Sequence, residues 1–262
     1  MESFKRRRCL QVLGAAGWIA AGGGVPALAG PVETIAQARP SVVAVGSYRP
    51  TDNPRFGFRG SGFVVDDGRH VVTNAHVLPE IPAEAVGAYV AVLVRRHRSD
   101  SPELRRATVV TTLRDRDLAL LRIDGEPLPS LALAQPEQIA EGQPIVLMGF
   151  PLGGALGFTT VSHRGMVSSI TPIAVPVANS RQLNEQAIAR LRRGSFDIYQ
   201  LDATAYPGNS GGPVLDADTG RVIGVVNMVF IKGSKETALT DPSGITYALP
   251  VQLVKDLLAA PR

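Results

Sequence analysis

Apolar residues along most of this chain fall in short runs rich in valine and threonine, separated by turn residues. "GFVVD", "HVVTNA", "YVAVLV", "ATVVTTL" and "LALLRI" form one such set. β-Branched side chains suit a pleated, half-buried surface, so these runs predict strands, with Asp66-Asp67-Gly68 closing a hairpin between the first two. A proline-rich stretch from Asp124 to Pro144 separates them from a second set: "IVLMGF", "FTTVSHRGMVSSI", "FDIYQLDAT", "PVLD", "RVIGVVNMVF" and "GITYALP". The pattern predicts an all-β protein in two halves, 30–125 and 126–262. Helical spacing is confined to three places. Pro31 to Ala38 is closed by Arg39-Pro40, Arg181 to Arg193 interrupts the second half as a loop insertion, and Val251 to Leu258 predicts a final helix. No heptad, internal repeat or glycine-rich phosphate loop accompanies them.

Composition narrows the class. With 45% hydrophobic and 19% charged residues over 262 positions, the chain can bury a core and is not a disordered protein. The net charge of +4 is concentrated at the start, where Lys5, Arg6, Arg7 and Arg8 face only Glu2 before residue 30. The near-neutral remainder gives no electrostatic case for a nucleic-acid partner. Arg95, Arg96, His97, Arg98, Arg105 and Arg106 are interrupted by Asp100 and Glu103 and predict a solvated loop.

Residues 1–29 combine a charged start, an uncharged segment from Cys9 and small Ala27 and Ala29 at the spacing of a cleavage site. They predict an export signal, a mature start at Gly30, and a periplasmic or secreted protein with no stable membrane insertion once the signal is removed. Arg6-Arg7-Arg8-Cys9-Leu10-Gln11 resembles a twin-arginine signal with cysteine at the bulky position. Cys9 is the single cysteine, so no disulfide is expected in the mature protein. No metal-ligand spacing is apparent, and no cofactor is expected.

The candidate chemistry lies in "DATAYPGNSGGPVLD", Asp202 to Asp216. Gly208, Gly211 and Gly212 around Ser210 describe a tight loop whose N–H groups can converge, although Pro-Gly-Asn-Ser-Gly-Gly is also plain turn chemistry. A nucleophilic serine needs a base and an orienter. All four histidines, His70, His76, His97 and His163, precede Ser210, which excludes the α/β-hydrolase order despite the Gly-x-Ser-x-Gly match. His76 closes the valine-rich "VVTNAHVL" and is expected to be buried enough to stay neutral while facing a cleft. His70 beside the hairpin turn and His97 in the basic loop are expected to be exposed, and His163 lies in an alternating strand. Asp117 opens "DLALLRI", and a carboxylate entering an apolar run needs a partner. Asp115 stands two residues away, pointing the same way if the strand extends to it, and spacing alone leaves it open. Asp66 and Asp67 fit the hairpin turn better.

"GSGFVVDDGRHVVTNAHVL", "RDRDLALLRI" and "YPGNSGGPVLDADTGRVIGVV" resemble, in that order, blocks of chymotrypsin-fold serine proteases, most closely the bacterial HtrA/Deg-like group. "ARPSVVAV", "VLMGFPLG", "TTVSHRGMVSSI" and "GITYALPVQLV" extend the likeness over most of Pro31 to Val254. The resemblance implies two six-stranded antiparallel β-barrels with the site in the cleft between them. It implies His76 as base, Asp117 as orienter, Ser210 as nucleophile and an oxyanion hole at Gly208, Asn209 and Ser210. It also implies hydrolysis of unfolded or extended polypeptides. A weakly active or inactive binding or chaperone-like module on the same fold is the alternative. Asn209 stands where trypsin-like digestive enzymes have aspartate, so activation by zymogen cleavage is not implied. In this fold the residue six before the nucleophile floors the specificity pocket. That places Thr204 and Ala205 at its base and Val225, Val226 and Asn227 on its wall, implying cleavage after small or medium aliphatic residues. Only about a dozen residues follow "GITYALP", so the PDZ domain usual in that group is not expected here; the oligomer is expected to be a monomer or a trimer.

Overall fold

The computed structural model describes residues 30–95, 100–153, 157–172, 196–227 and 245–260. The predicted signal at 1–29, His97 and the predicted insertion at 181–193 lie outside them.

Twelve strands close into two barrels. β1 (Val42–Tyr48), β2 (Phe56–Val65), β3 (His70–Thr73), β4 (Tyr89–Val94), β5 (Glu103–Leu113) and β6 (Leu118–Ile123) form the first, in the order β1-β2-β3-β6-β5-β4. β7 (Pro144–Gly149), β8 (Val161–Pro172), β9 (Asp197–Asp202), β10 (Pro213–Asp216), β11 (Val222–Asn227) and β12 (Ile245–Pro250) form the second, in the order β10-β11-β12-β9-β8-β7. Read from its first strand, each barrel follows the same path. The two halves therefore share a topology that no repeat in the sequence announces. Closure removes the open edges that a flat sheet of these strands would expose.

The strand bounds follow the valine-rich runs with two extensions. β5 begins at Glu103, so Arg105 and Arg106 are sheet and not the solvated loop expected; Arg105 is buried, which its Nε–H bond to Glu103 Oε1 at 2.7 Å makes tolerable for a charge. β2 begins at Phe56, so "FGFR" is sheet, pairing Phe56 to Tyr48 and Phe58 to Gly46, with Arg59 the extra residue of a bulge in β2. Alternating glycine hides the period here, because a glycine shows no side chain by which a face can be recognised. α1 (Pro31–Ala38) and α2 (Val251–Ala259) occupy the predicted helical positions. Pro31 opens α1 where no N–H is required, and a 3-10 turn at Arg39–Ser41 hands the chain to β1.

Each barrel has its own interior. Val43, Val45, Val71, Val92 and Leu121 fill the first; Ile145, Leu147, Leu201, Val214 and Ile223 fill the second. A third cluster joins them, with Phe63, Val72, Leu118 and Leu120 against Met148, Leu215, Val225 and Leu249, sealed by Leu253, Val254 and Leu257 of α2. At about 1.5–3 kcal/mol per buried side chain of this size, that seam fixes one barrel on the other. It therefore also fixes groups that reach the cleft from opposite sides.

The hairpin of β2 and β3 corrects one expectation. His70 is buried, not exposed, and its Nδ1 lies 2.9 Å from Asp67 Oδ1. The same oxygen accepts the Arg69 N–H at 2.9 Å, so Asp67 closes the turn and covers the imidazole together. A turn neighbour suggests solvent, but His70 is the first residue of a strand whose four residues are all buried.

Candidate active site

His76 sits in a 3-10 turn, Ala75–Val77, directly after β3. Asp117 ends the turn before β6 with φ 53°, a left-handed conformation that aspartate tolerates better than most residues. The strand alternation that would align Asp115 with Asp117 therefore does not reach them. Asp115 faces Arg116 at 3.8 Å on the surface, whereas Asp117 grips the His76 turn at several points. Its Oδ2 lies 2.6 Å from His76 Nδ1, its Oδ1 accepts the His76 N–H at 2.9 Å, and its backbone O accepts Ala75 N–H and Asn74 Nδ2. A carboxylate on Nδ1 fixes the tautomer that leaves Nε2 as the free acceptor. His76 is more open than expected, with 35% of its side chain exposed against 21% for Asp117.

Asn227 reaches the same carboxylate. Its Nδ2 donates to Asp117 Oδ2 at 2.8 Å, so this residue lies behind the aspartate and not on the pocket wall where the sequence placed it. Val225 and Val226 have no exposed surface. Val225 packs in the seam between the barrels and Val226 in the interior of the second barrel with Ala203 and Ala205. Neither offers an open wall. Thr204 is half-buried and Ala205 is buried, upstream of the Ser210 loop.

The loop that carries Ser210 is held against the His76 turn. A Cβ on Gly211 would strike Ser61 O and Thr73 Oγ1 and come within 3.1 Å of Asn74 N, so only glycine allows this approach. Ser210 O accepts Ser61 N–H at 2.8 Å, and Gly211 N–H donates to Val226 O at 2.9 Å, one residue before Asn227. Asn209 N–H donates to Tyr206 O and Gly212 N–H to Asn209 O, each at 2.9 Å. Asn209, expected among the oxyanion donors, thus has its N–H turned back into the loop. The N–H groups of Gly208 and Ser210 accept no such role and have no partner among the described residues. Gly208 lies at φ 105°, which a side chain would strain. Among the described residues, no hydrogen bond joins Ser210 to His76.

His163 lies in β8, its ring tilted on Tyr206 at 5.7 Å between centroids, and its buried Nε2 has no partner among the described residues. Burial holds its pKa below the ordinary 6.5. The folded state thus binds a proton less readily than the unfolded one, so the stability this site contributes is present above pH ~6.5 and lost as pH falls below it. His163→Phe is expected to flatten the fall of Tm between pH 7.5 and 5.5, read by thermal unfolding at each pH. An unchanged slope would show that His163 stays out of the acid response. Asp66, Asp67 and His70 also bring oxygen and nitrogen ligand atoms within 4.8 Å of one another, and the hairpin turn accounts for that geometry.

Comparison with known proteins agrees with this architecture. Residues 60–225, more than half of the chain, match the family model described as trypsin-like peptidase domain. A probable periplasmic serine endoprotease DegP-like of Pseudomonas fluorescens is 29% identical over 199 residues, covering 76% of this chain and 34% of its own length. The mitochondrial serine protease HTRA2 of Drosophila willistoni is 32% identical, covering 76% of this chain and 37% of its own. The chain thus spans about a third of the length of these relatives. Among solved structures, Deg5 superposes with TM-score 0.60 at 26% identity, covering 86% of this chain and 90% of its own. The HtrA-type protease AlgW with a tripeptide gives TM-score 0.60 at 25% identity, covering 87% and 62%. With two closed six-stranded antiparallel barrels and a family match from Gly60 to Val225, the chain belongs to the trypsin-like peptidase domain family.

Proposed function

We propose that this protein is a serine endopeptidase that cleaves unfolded or extended polypeptides, with Ser210 as nucleophile, His76 as base and Asp117 as orienter. The observation that carries the reading is the 2.6 Å contact of Asp117 Oδ2 with His76 Nδ1, which leaves Nε2 as the ring's acceptor. Nε2 takes the hydroxyl proton as Oγ attacks the scissile carbonyl, then returns it to the leaving amine; water repeats the sequence on the acyl-enzyme. Gly208 and Ser210 N–H groups receive the oxyanion, each worth about 3 kcal/mol in proteases where one donor was removed.

No carboxylate stands at Thr204 or Ala205, and a lysine or arginine side chain buried there would lack a partner. Cleavage after small or medium aliphatic residues therefore remains the proposed preference, resting on these two positions now that the valines lie in the core. The DegP-like relatives named as periplasmic, and the signal pattern of residues 1–29, support export, with the twin-arginine route as the specific proposal.

One observation favours a second reading, a binding module with little turnover: Ser210 and His76 share no hydrogen bond in this state. Catalytic hydrogen bonds often tighten only with substrate, so labelling by a fluorophosphonate probe with and without denatured protein separates the two. Covalent modification of Ser210, found by peptide mapping, supports the peptidase. No modification under either condition would leave the binding module. A further check concerns Asn227. Asn227→Ala removes one donor from Asp117 Oδ2 and is expected to lower kcat about tenfold with KM nearly unchanged, since a hydrogen bond to a charged group contributes roughly 1.5–3 kcal/mol. An unchanged kcat would show that His76 alone holds the carboxylate.

A further inference from the structure

The proposed oxyanion loop belongs to the second barrel, yet a residue of the first barrel binds it at two points. Ser61 on β2 is fully buried. Its Oγ donates to Gly208 O at 2.7 Å and accepts the Phe150 N–H at 2.9 Å, while its own N–H donates to Ser210 O at 2.8 Å and its O accepts Thr73 Oγ1 at 2.7 Å. One hydroxyl therefore ties β2 to the nucleophile loop and to the end of β7.

The direction of each oxyanion N–H is decided by the carbonyl of the same peptide, because N–H and C=O point oppositely across a trans bond. Asn209 O accepts Gly212 N–H, which turns Ser210 N–H outward. Pro207 O accepts Leu152 N–H at 2.9 Å, which does the same for Gly208 N–H. Both ends of that second arrangement lead to Ser61. Leu152 stands two residues beyond Phe150, whose N–H binds the hydroxyl, and Gly208 O is the acceptor of the hydroxyl proton. Gly208 has no side chain and sits at φ 105°, so local sterics restrain its two peptides little. Its orientation depends on the hydrogen bonds around it.

We propose that Ser61 is a positioning residue of the oxyanion hole, through which the first barrel sets the direction of the Gly208 N–H. This rests on the reading of Gly208 and Ser210 as oxyanion donors. Removing the hydroxyl strands Gly208 O and Phe150 N–H without partners inside the protein, and rotation about Gly208 is the motion that lets them find others. That rotation withdraws an N–H needed in the transition state, and it leaves the groups that bind an extended substrate in place.

Threonine and valine have the same shape and differ by the hydroxyl, so Ser61→Thr and Ser61→Val separate hydrogen bonding from bulk. Two quantities are read: kcat and KM on a peptide substrate, and hydrogen–deuterium exchange of the segment 204–213. Ser61→Val is expected to lose roughly 10- to 100-fold in kcat, up to the loss of one oxyanion donor, with KM nearly unchanged. Exchange in 204–213 should accelerate while the strands keep their protection. Ser61→Thr should stay close to wild type in both. Ser61→Ala, which only removes atoms, carries the same expectation as valine if the branched residues unfold the barrel. Equal kcat for the valine and threonine variants, or faster exchange with kcat retained, overturns the proposal. If wild type itself neither cleaves nor labels, the peptidase reading falls instead. Exchange in the same variants then decides whether Ser61 restrains the loop: unchanged exchange in the valine variant overturns that restraint, and faster exchange upholds it.

Discussion

Ser210→Ala is expected to abolish covalent labelling and to lower peptide hydrolysis by about six orders of magnitude, the scale seen when a triad nucleophile is removed. The structure explains why this should be a clean loss. The links that hold the loop in place are made by its backbone: Ser210 O to Ser61 N–H, Gly211 N–H to Val226 O, and Gly212 N–H to Asn209 O. None uses the hydroxyl. Ser210 is 6% exposed, but the change removes only an oxygen that makes none of these links, so Tm should move little. The measurement is fluorophosphonate labelling and cleavage of a denatured protein, with thermal unfolding alongside. Labelling that persists in the variant, at another residue, would remove Ser210 from the mechanism.

Asp117→Asn should cost about four orders of magnitude in kcat, as it does when the orienting aspartate of such a triad becomes an amide. Here the cause can be traced atom by atom. Asp117 Oδ2 faces two groups at once, His76 Nδ1 at 2.6 Å and Asn227 Nδ2 at 2.8 Å, while Oδ1 faces the His76 N–H. An amide has one oxygen, so either its nitrogen meets the His76 and Asn227 nitrogens or it meets the backbone N–H. With its NH2 toward Nδ1, the imidazole must carry its proton on Nε2, where it cannot accept the serine proton. Asparagine also tolerates the left-handed backbone that residue 117 adopts, so the fold is not at issue. Asp115→Asn, on a surface carboxylate beside Arg116, should leave kcat within about a factor of two. The reverse ranking would transfer the role to Asp115.

Much of this could be read along the chain. Valine-rich runs and turn residues placed the strands, and Pro31 and the apolar spacing after Val251 placed both described helices. The glycines around Ser210 announced a tight loop because a positive φ or a close backbone approach leaves few other residues usable. What the reading assigned by neighbourhood alone was less secure. His70 looked exposed beside a turn and proved buried, and Arg105, read as part of a solvated loop, lies buried in β5. Asn209 has its N–H folded back to Tyr206 O, and Asn227 left the pocket for Asp117.

The sequence by itself determined the β class, the two halves, and the order of histidine, aspartate and serine, because strand propensity, turn chemistry and residue type act over a few neighbouring positions. Only the tertiary structure decided which aspartate holds His76, what stands behind that aspartate, and which first-barrel hydroxyl binds Gly208 O. Those answers come from contacts between residues 41, 110 and 147 positions apart, brought together when the two barrels close and pack. No local pattern encodes a hydrogen bond across such a distance. The first of these contacts forms when β3 pairs with β6 inside one barrel; the other two exist only once the apolar seam has fixed one barrel against the other.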